Sequence, residues 1–159
     1  MARFGGHSEA CGFTLSSADH LAIFKESFLS YANEKLAGYE FSAYTLIEAD
    51  VNLSDIDLAL LEVLNKFEPF GQGNSKPLFL LKNLAVVSAD FLGEKKEHLR
   101  LRVKQSDYPR VFKAMSFWTA DDWKESLLPG ATFDAIAELG INEWNGSREM
   151  EIKIIDIHL

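Results

Sequence analysis

A crowd of turn residues splits this chain, and the part beyond it is patterned for a small β-barrel. Pro69, Gly71, Gly73 and Pro77 fall within the string EPFGQGNSKP at residues 68–77. Proline removes a backbone donor and glycine frees the backbone, so such a cluster ends one element and begins another. Residues 78–92 then carry a long, partly alternating β pattern. Residues 97–105 alternate cleanly, with Leu99, Leu101 and Val103 on one face and His98, Arg100, Arg102 and Lys104 on the other. Residues 111–118 read as a third strand. A short helix is expected over 120–128, capped by Thr119 and ended by Pro129-Gly130. Residues 132–139 and 150–157 read as the fourth and fifth strands, the last with Met150, Ile152, Ile154 and Asp156 on one face.

Five strands with one helix between the third and fourth is the order of the OB-fold, a five-stranded, partly open barrel. Upstream, Ser16 or Ser17 is a suitable N-cap for a helix over 18–37. There Leu21, Phe24, Phe28, Leu29 and Leu36 recur at helical spacing, and Gly38 comes next as a stop. Residues 39–51 alternate as a strand would, through Phe41, Ala43, Thr45, Ile47 and Ala49. A second helix is expected from Ser54 through Lys66, with Ile56, Leu60, Leu61, Leu64 and Phe67 facing a core. The fold class is therefore α+β. Its parts are an N-terminal α/β segment, linking helices and a five-stranded barrel, with boundaries at 1–50, 51–76 and 77–159.

Hydrophobic residues make up 47% of the 159 and charged residues 25%, a globular balance rather than a disordered one. The formal net charge of −8 excludes a nucleic-acid binder built on bulk positive charge, so any such surface must be a local patch. The single cysteine, Cys11, forms no intrachain disulfide, which fits a reducing compartment and a cytoplasmic location. No apolar run reaches the roughly 20 residues a membrane helix needs, so no membrane partner is expected. The start carries Arg3 but no apolar stretch behind it, unlike a signal peptide.

Two places could carry chemistry. Arg3, Gly5, Gly6 and His7 combine side-chain-free backbone with two cationic or donor groups, as a phosphate-binding turn does. Arg100, Arg102 and Lys104 stand at i, i+2 and i+4, so a strand points all three one way. Exposed strand faces are commonly charged, so the stripe alone does not define a site. Phe117, Trp118, Trp123 and Trp144 are candidate stacking surfaces. Phe117 is expected mainly in the core and Trp144 in a polar turn. Phe70, Gln72 and Asn74 are expected to shape the joint. His7, His20, His98 and His158 lack metal-ligand spacing. Asp121-Asp122 suits a helix start, where carboxylates complement the dipole.

Four strings together resemble one family. RFGGH, with Ala10 and Gly12 just beyond it, resembles the GGH motif of the DHHA1 domain in DHH-family phosphoesterases. LNKFEPFGQGNSKPLF (64–79) is similar to the joint before the OB domain of RecJ-type exonucleases, with Ser75 in place of the usual proline. EHLRLRV (97–103) resembles the second OB strand of that family, and NEWNG (142–146) the turn before its last strand. The resemblance covers nearly the whole chain, and by it residues 1–50 correspond to the end of a DHHA1 domain.

It implies the substrate-binding C-terminal part of a 5′→3′ single-stranded-DNA exonuclease used in DNA repair and recombination. The metal-binding DHH domain, with its Mn or Mg, is expected in another segment, because nothing here matches the Asp-His-His run and the nearest string is Ala18-Asp19-His20. This chain alone is then expected to be inactive. In the whole enzyme Arg3, Gly5, Gly6 and His7 are implied to hold substrate phosphates facing the metals. Arg100, Arg102, Lys104 and Trp144 are implied to hold single-stranded DNA. Two other readings stand beside it: an OB-type module that recruits a repair protein to its acidic surface, and a phosphoesterase acting on short oligonucleotides. The OB-like tail speaks against the latter.

Overall fold

Gly6 determines the first element. β1 (Arg3–His7) and β2 (Ala10–Thr14) form an antiparallel hairpin in which Gly6 lies opposite Cys11. A Cβ on Gly6 would sit 2.5 Å from the Ala10 carbonyl oxygen and 2.5 Å from the Cys11 Cα, so no side chain fits. The Gly5-Gly6-His7 segment is thus a paired strand and not the turn expected; the turn is Ser8-Glu9. The computed structural model describes residues 2–42, 44–106, 108–144 and 146–159, and all their side chains except those of Glu143, Trp144 and Ser147. The chain forms two compact units that divide between Tyr44 and Thr45.

In the first unit a 3-10 turn at Ala18–His20 is capped by Ser17, whose hydroxyl accepts from the Asp19 N–H at 3.2 Å. It leads into α1 (Leu21–Leu36). Phe24 packs between Phe13 and Phe28, with centroids at 4.5 and 5.8 Å. The rest of the stripe expected to face a core stays open to solvent: Leu21, Phe28, Leu29 and Leu36 are all exposed. One hairpin offers too little surface to cover a sixteen-residue helix. The strand expected over 39–51 is reduced to β3 (Ala49–Asp50), which runs parallel to Phe79 and Leu80. Among the described residues of 39–48 none joins a strand, and the Glu48 N–H, which donates to the Leu78 carbonyl at 2.8 Å, only leads into β3.

In the second unit the expected helix from Ser54 is divided. Asn52 and Asp55 form a capping box around a 3-10 turn at Leu53–Asp55. α2 (Leu58–Asn65) then starts afresh on Asp57, whose carboxylate accepts from the Leu60 N–H at 2.8 Å. Ser54 lies inside that 3-10 turn, four residues ahead of the start of α2, so it is not placed to cap it. Leu53, Ile56 and Leu61 are buried in the barrel's core cluster, so part of the 51–76 segment read as a linker belongs to the barrel's hydrophobic interior. Asn74 fastens the joint, donating from Nδ2 to the carbonyls of Phe67 and Pro69 at 2.9 and 3.0 Å.

The barrel strands are β4 (Phe79–Leu92), β5 (His98–Gln105), β6 (Tyr108–Ser116), β7 (Thr132–Trp144) and β8 (Ser147–His158). They pair in the order β4-β5-β6-β8-β7, and β7 returns to β4, closing the sheet. β6 and β8 run parallel and the other barrel pairs antiparallel. Closure removes the free edges that would invite pairing with another chain. This is the expected OB order, including a helix, α3 (Ala120–Trp123), between the third and fourth barrel strands. That helix is one turn and not the expected 120–128. Thr119 stands at its N-cap without capping it, because its hydroxyl bonds the buried Ser116 hydroxyl at 2.7 Å. Among the described residues, no helix is long and apolar enough to cross a membrane.

Candidate nucleic-acid interface

The alternation of β5 sorts its side chains by face. Leu99, Leu101 and Val103 are fully buried, while Arg100, Arg102 and Lys104 lie on the outer side of the barrel. Successive members of this row are about 6.6 Å apart along the strand. Its Arg100 end is partly neutralised: the Arg100 guanidinium donates to Asp90 Oδ2 from Nη2 at 3.0 Å and from Nε at 3.3 Å. Both side chains are about half exposed, 42% and 50%, so the pair contributes at most about 1 kcal/mol and exchanges readily for another anion.

Two neighbouring strands widen the row into a basic face. Arg102 lies opposite Ser88 on β4 and opposite Lys113 on β6. Arg100, Arg102 and Lys113, with Ser88, Asp90 and Glu149, line a concavity of about 650 Å³. An adjoining hollow of about 340 Å³ shares Lys113 and Glu149 and adds Arg110 and Arg148. The Arg110 guanidinium lies 4.9 Å from the centroid of the Phe112 ring. Sequence reading misses Arg110 and Lys113 because they fall at the start of an otherwise apolar strand; only the β5–β6 register sets Lys113 beside Arg102. Lys104 extends the row past the concavity, opposite Ala85.

Among the aromatics, Phe117 corrects the expectation of a core residue, being 41% exposed. β6 ends at Ser116, and the chain turns through Trp118 with φ +66°, which leaves Phe117 outside the barrel. Trp123 is half-buried against the core. Trp144 ends β7 rather than standing in a turn, and its side chain lies outside the described residues.

The other expected site residues, Arg3, Gly5, Gly6 and His7, all lie in β1 and are exposed. Alternation puts Arg3 and His7 on one side of the strand. His7 Nδ1 accepts from the Glu9 N–H at 3.3 Å, which leaves its Nε2 for an outside partner. The hollow of about 370 Å³ beside them is walled largely by Phe4, Phe13, Phe24 and Phe28. Among the described residues, no three His, Cys, Asp or Glu side chains converge as a metal site would require.

A closed barrel in OB order, with α3 between the third and fourth strands and a cationic outer face on the second and third, defines an OB-fold domain. The family model of the RecJ OB domain matches residues 47–156, and the chain belongs to that family. It is similar to the single-stranded-DNA-specific exonuclease RecJ of Thermus thermophilus, at 32% identity over 99% of this chain and 21% of the relative. It is similar to RecJ of Bacillus subtilis at 24% identity, over 98% of this chain and 19% of the relative. The crystal structure of Thermus thermophilus RecJ in complex with Mn2+ superimposes with a TM-score of 0.67 at 26% identity, covering 99% of this chain and 22% of that one. The chain thus spans about a fifth of the length of these relatives.

Proposed function

We propose that this chain is the single-strand-binding C-terminal part of a RecJ-type 5′→3′ exonuclease acting in DNA repair and recombination. The observation that carries the reading is the alignment of Arg100, Arg102 and Lys104 on one barrel face, with Lys113 brought alongside Arg102. OB-folds hold single strands on this face, through cations that track the backbone and aromatics that stack bases. On this reading the positive charge is local, and the net charge of −8 repels nucleic acid elsewhere and confines the strand to the groove. On this reading hydrolysis falls to another segment of the same enzyme, where Mn or Mg would supply charge stabilisation, while this chain's residues hold the strand. Arg3 and His7 supply phosphate contacts toward that centre, through a charge-assisted pair and a ring N–H.

The test is fluorescence anisotropy of a labelled oligo(dT) titrated with the chain at several salt concentrations. Affinity should fall steeply with salt. The combined Arg100→Ala, Arg102→Ala and Lys104→Ala variant should lower the log–log slope by about 2, at about 0.7 per lost single-strand phosphate contact. No binding up to about 100 μM at low salt, the weak end of non-specific association, would overturn the reading. The acidic surface favours a second reading, a module that docks a basic face of a repair protein. Capture of such a protein by a chain that ignores oligonucleotides would establish it.

A further inference from the structure

The row on β5 does not end in solvent. Alternation places His98 on the same outer side as Arg100, and the His98 ring lies edge-on to Trp118, with centroids 4.4 Å apart and planes at 85°. His98 also accepts from the Trp118 backbone N–H at Nδ1, 3.2 Å away, and contacts Phe117 edge-on at 5.3 Å. Trp118 itself is anomalous twice over. It holds φ +66°, a left-handed conformation that bulky side chains rarely adopt, and its side chain is 73% exposed. A fold that places a tryptophan in an unfavourable backbone conformation gains little by leaving the indole in water, and such outliers gather at functional sites. Beside it, Phe117, Trp118, Ile155 and Lys153 border a concavity of about 590 Å³. Phe117 and Ile155 are also exposed, and Lys153 is paired with Glu138 at 3.3 Å.

We propose that Trp118, positioned by His98, is a base-stacking platform at the end of the cationic row, so that a single strand lying along β5 stacks a nucleobase on the indole. The proposal rests on the reading of this face as a single-strand interface and adds to it the residue that contacts a base. Continuity with the row selects the occupant. A strand whose phosphates track Lys104, Arg102 and Arg100 arrives at His98 and then at the indole. Every base presents a π-face, so the platform is tolerant of sequence.

The experiment uses the whole chain, a short labelled oligo(dT), and the same sugar–phosphate backbone carrying abasic sites. Trp118→Ala should weaken oligo(dT) binding by about 5- to 150-fold, the range of a lost base–aromatic stack, with the salt slope unchanged. Trp118→Phe should retain most of the affinity. Trp118→Gly should lose it while the thermal midpoint holds or rises, because glycine adopts this φ without cost. That combination separates a contact from a folding defect. His98→Ala should erase the preference for the base-bearing over the abasic oligonucleotide, again at constant salt slope.

Equal affinity of wild type and Trp118→Ala for oligo(dT) would overturn the platform and leave the cationic face standing, with Trp118 then free for a protein partner. Failure of the wild type to bind either oligonucleotide would overturn both.

Discussion

Arg102 and Lys113 face each other across the β5–β6 ladder, two cations in register on one barrel face. Directly opposed like charges destabilise a sheet, as opposite charges stabilise it by about 0.2–1 kcal/mol. A barrel selected for stability alone would place an acid at one of these positions. Lys113→Glu is therefore expected to raise stability by a few tenths of a kcal/mol and to weaken oligonucleotide binding. Urea unfolding and anisotropy measure the two effects. A variant that bound single strands as well as the parent would remove Lys113 from the interface.

Gln105 ties the 3-10 turn at Leu53–Asp55 to the barrel. Its Oε1 accepts from the Leu53 N–H at 2.7 Å, and its Nε2 donates to the Lys82 carbonyl at 2.7 Å. Leu53 is fully buried, so its amide has little recourse to water if this partner is lost. Gln105→Leu should cost about 1–3 kcal/mol, the penalty of stranding a donor. The urea midpoint should fall with the m-value unchanged. A neutral result would mean that solvent reaches the Leu53 amide.

The two units differ in how much of them is legible in the sequence. Strict alternation from His98 to Gln105, with Leu99, Leu101 and Val103 inward, specifies both the strand and the outer row of cations, because a period of two leaves a half-buried strand one orientation. The same logic fails for residues 39–48, where Phe41 and Ile47 alternate but none of the described residues joins a strand. It fails again at Phe117, where a left-handed turn at Trp118 overrides the preference of an aromatic for the core. Such a turn has no signature in a tryptophan. Lys113 is hidden for another reason: it joins the site only through register with Arg102, a pairing between strands that no local pattern encodes.

The two glycines of the GGH string should respond oppositely to alanine. A Cβ on Gly5 meets nothing within 4 Å, whereas one on Gly6 meets the backbone of β2 at 2.5 Å. Gly5→Ala should leave the hairpin intact. Gly6→Ala should push the strands apart and raise hydrogen exchange across β1 and β2. Equal exchange in both variants would show that the close approach of Gly6 to Cys11 is not part of the solution structure.

The core makes a prediction about where the chain can be cut. Every buried hydrophobic residue among those described lies between Leu53 and Ile154, and none lies in the unit that ends at Tyr44. That first unit keeps Phe4, Ile23, Phe28 and Tyr39 exposed, and none of its described residues is a buried hydrophobic. A fragment of residues 45–159 should then unfold cooperatively, with a midpoint within a few degrees of the intact chain, and keep most of the salt slope of oligo(dT) binding, losing about 0.7 for the Arg3 contact. A fragment of residues 1–44 should show little stable structure by circular dichroism, because so short a segment buries too little apolar surface to offset its chain entropy. Loss of the cooperative transition in the 45–159 fragment would show that the barrel draws stability from the first unit, and the assignment of an independent OB-fold domain to residues 45–159 would fall with it.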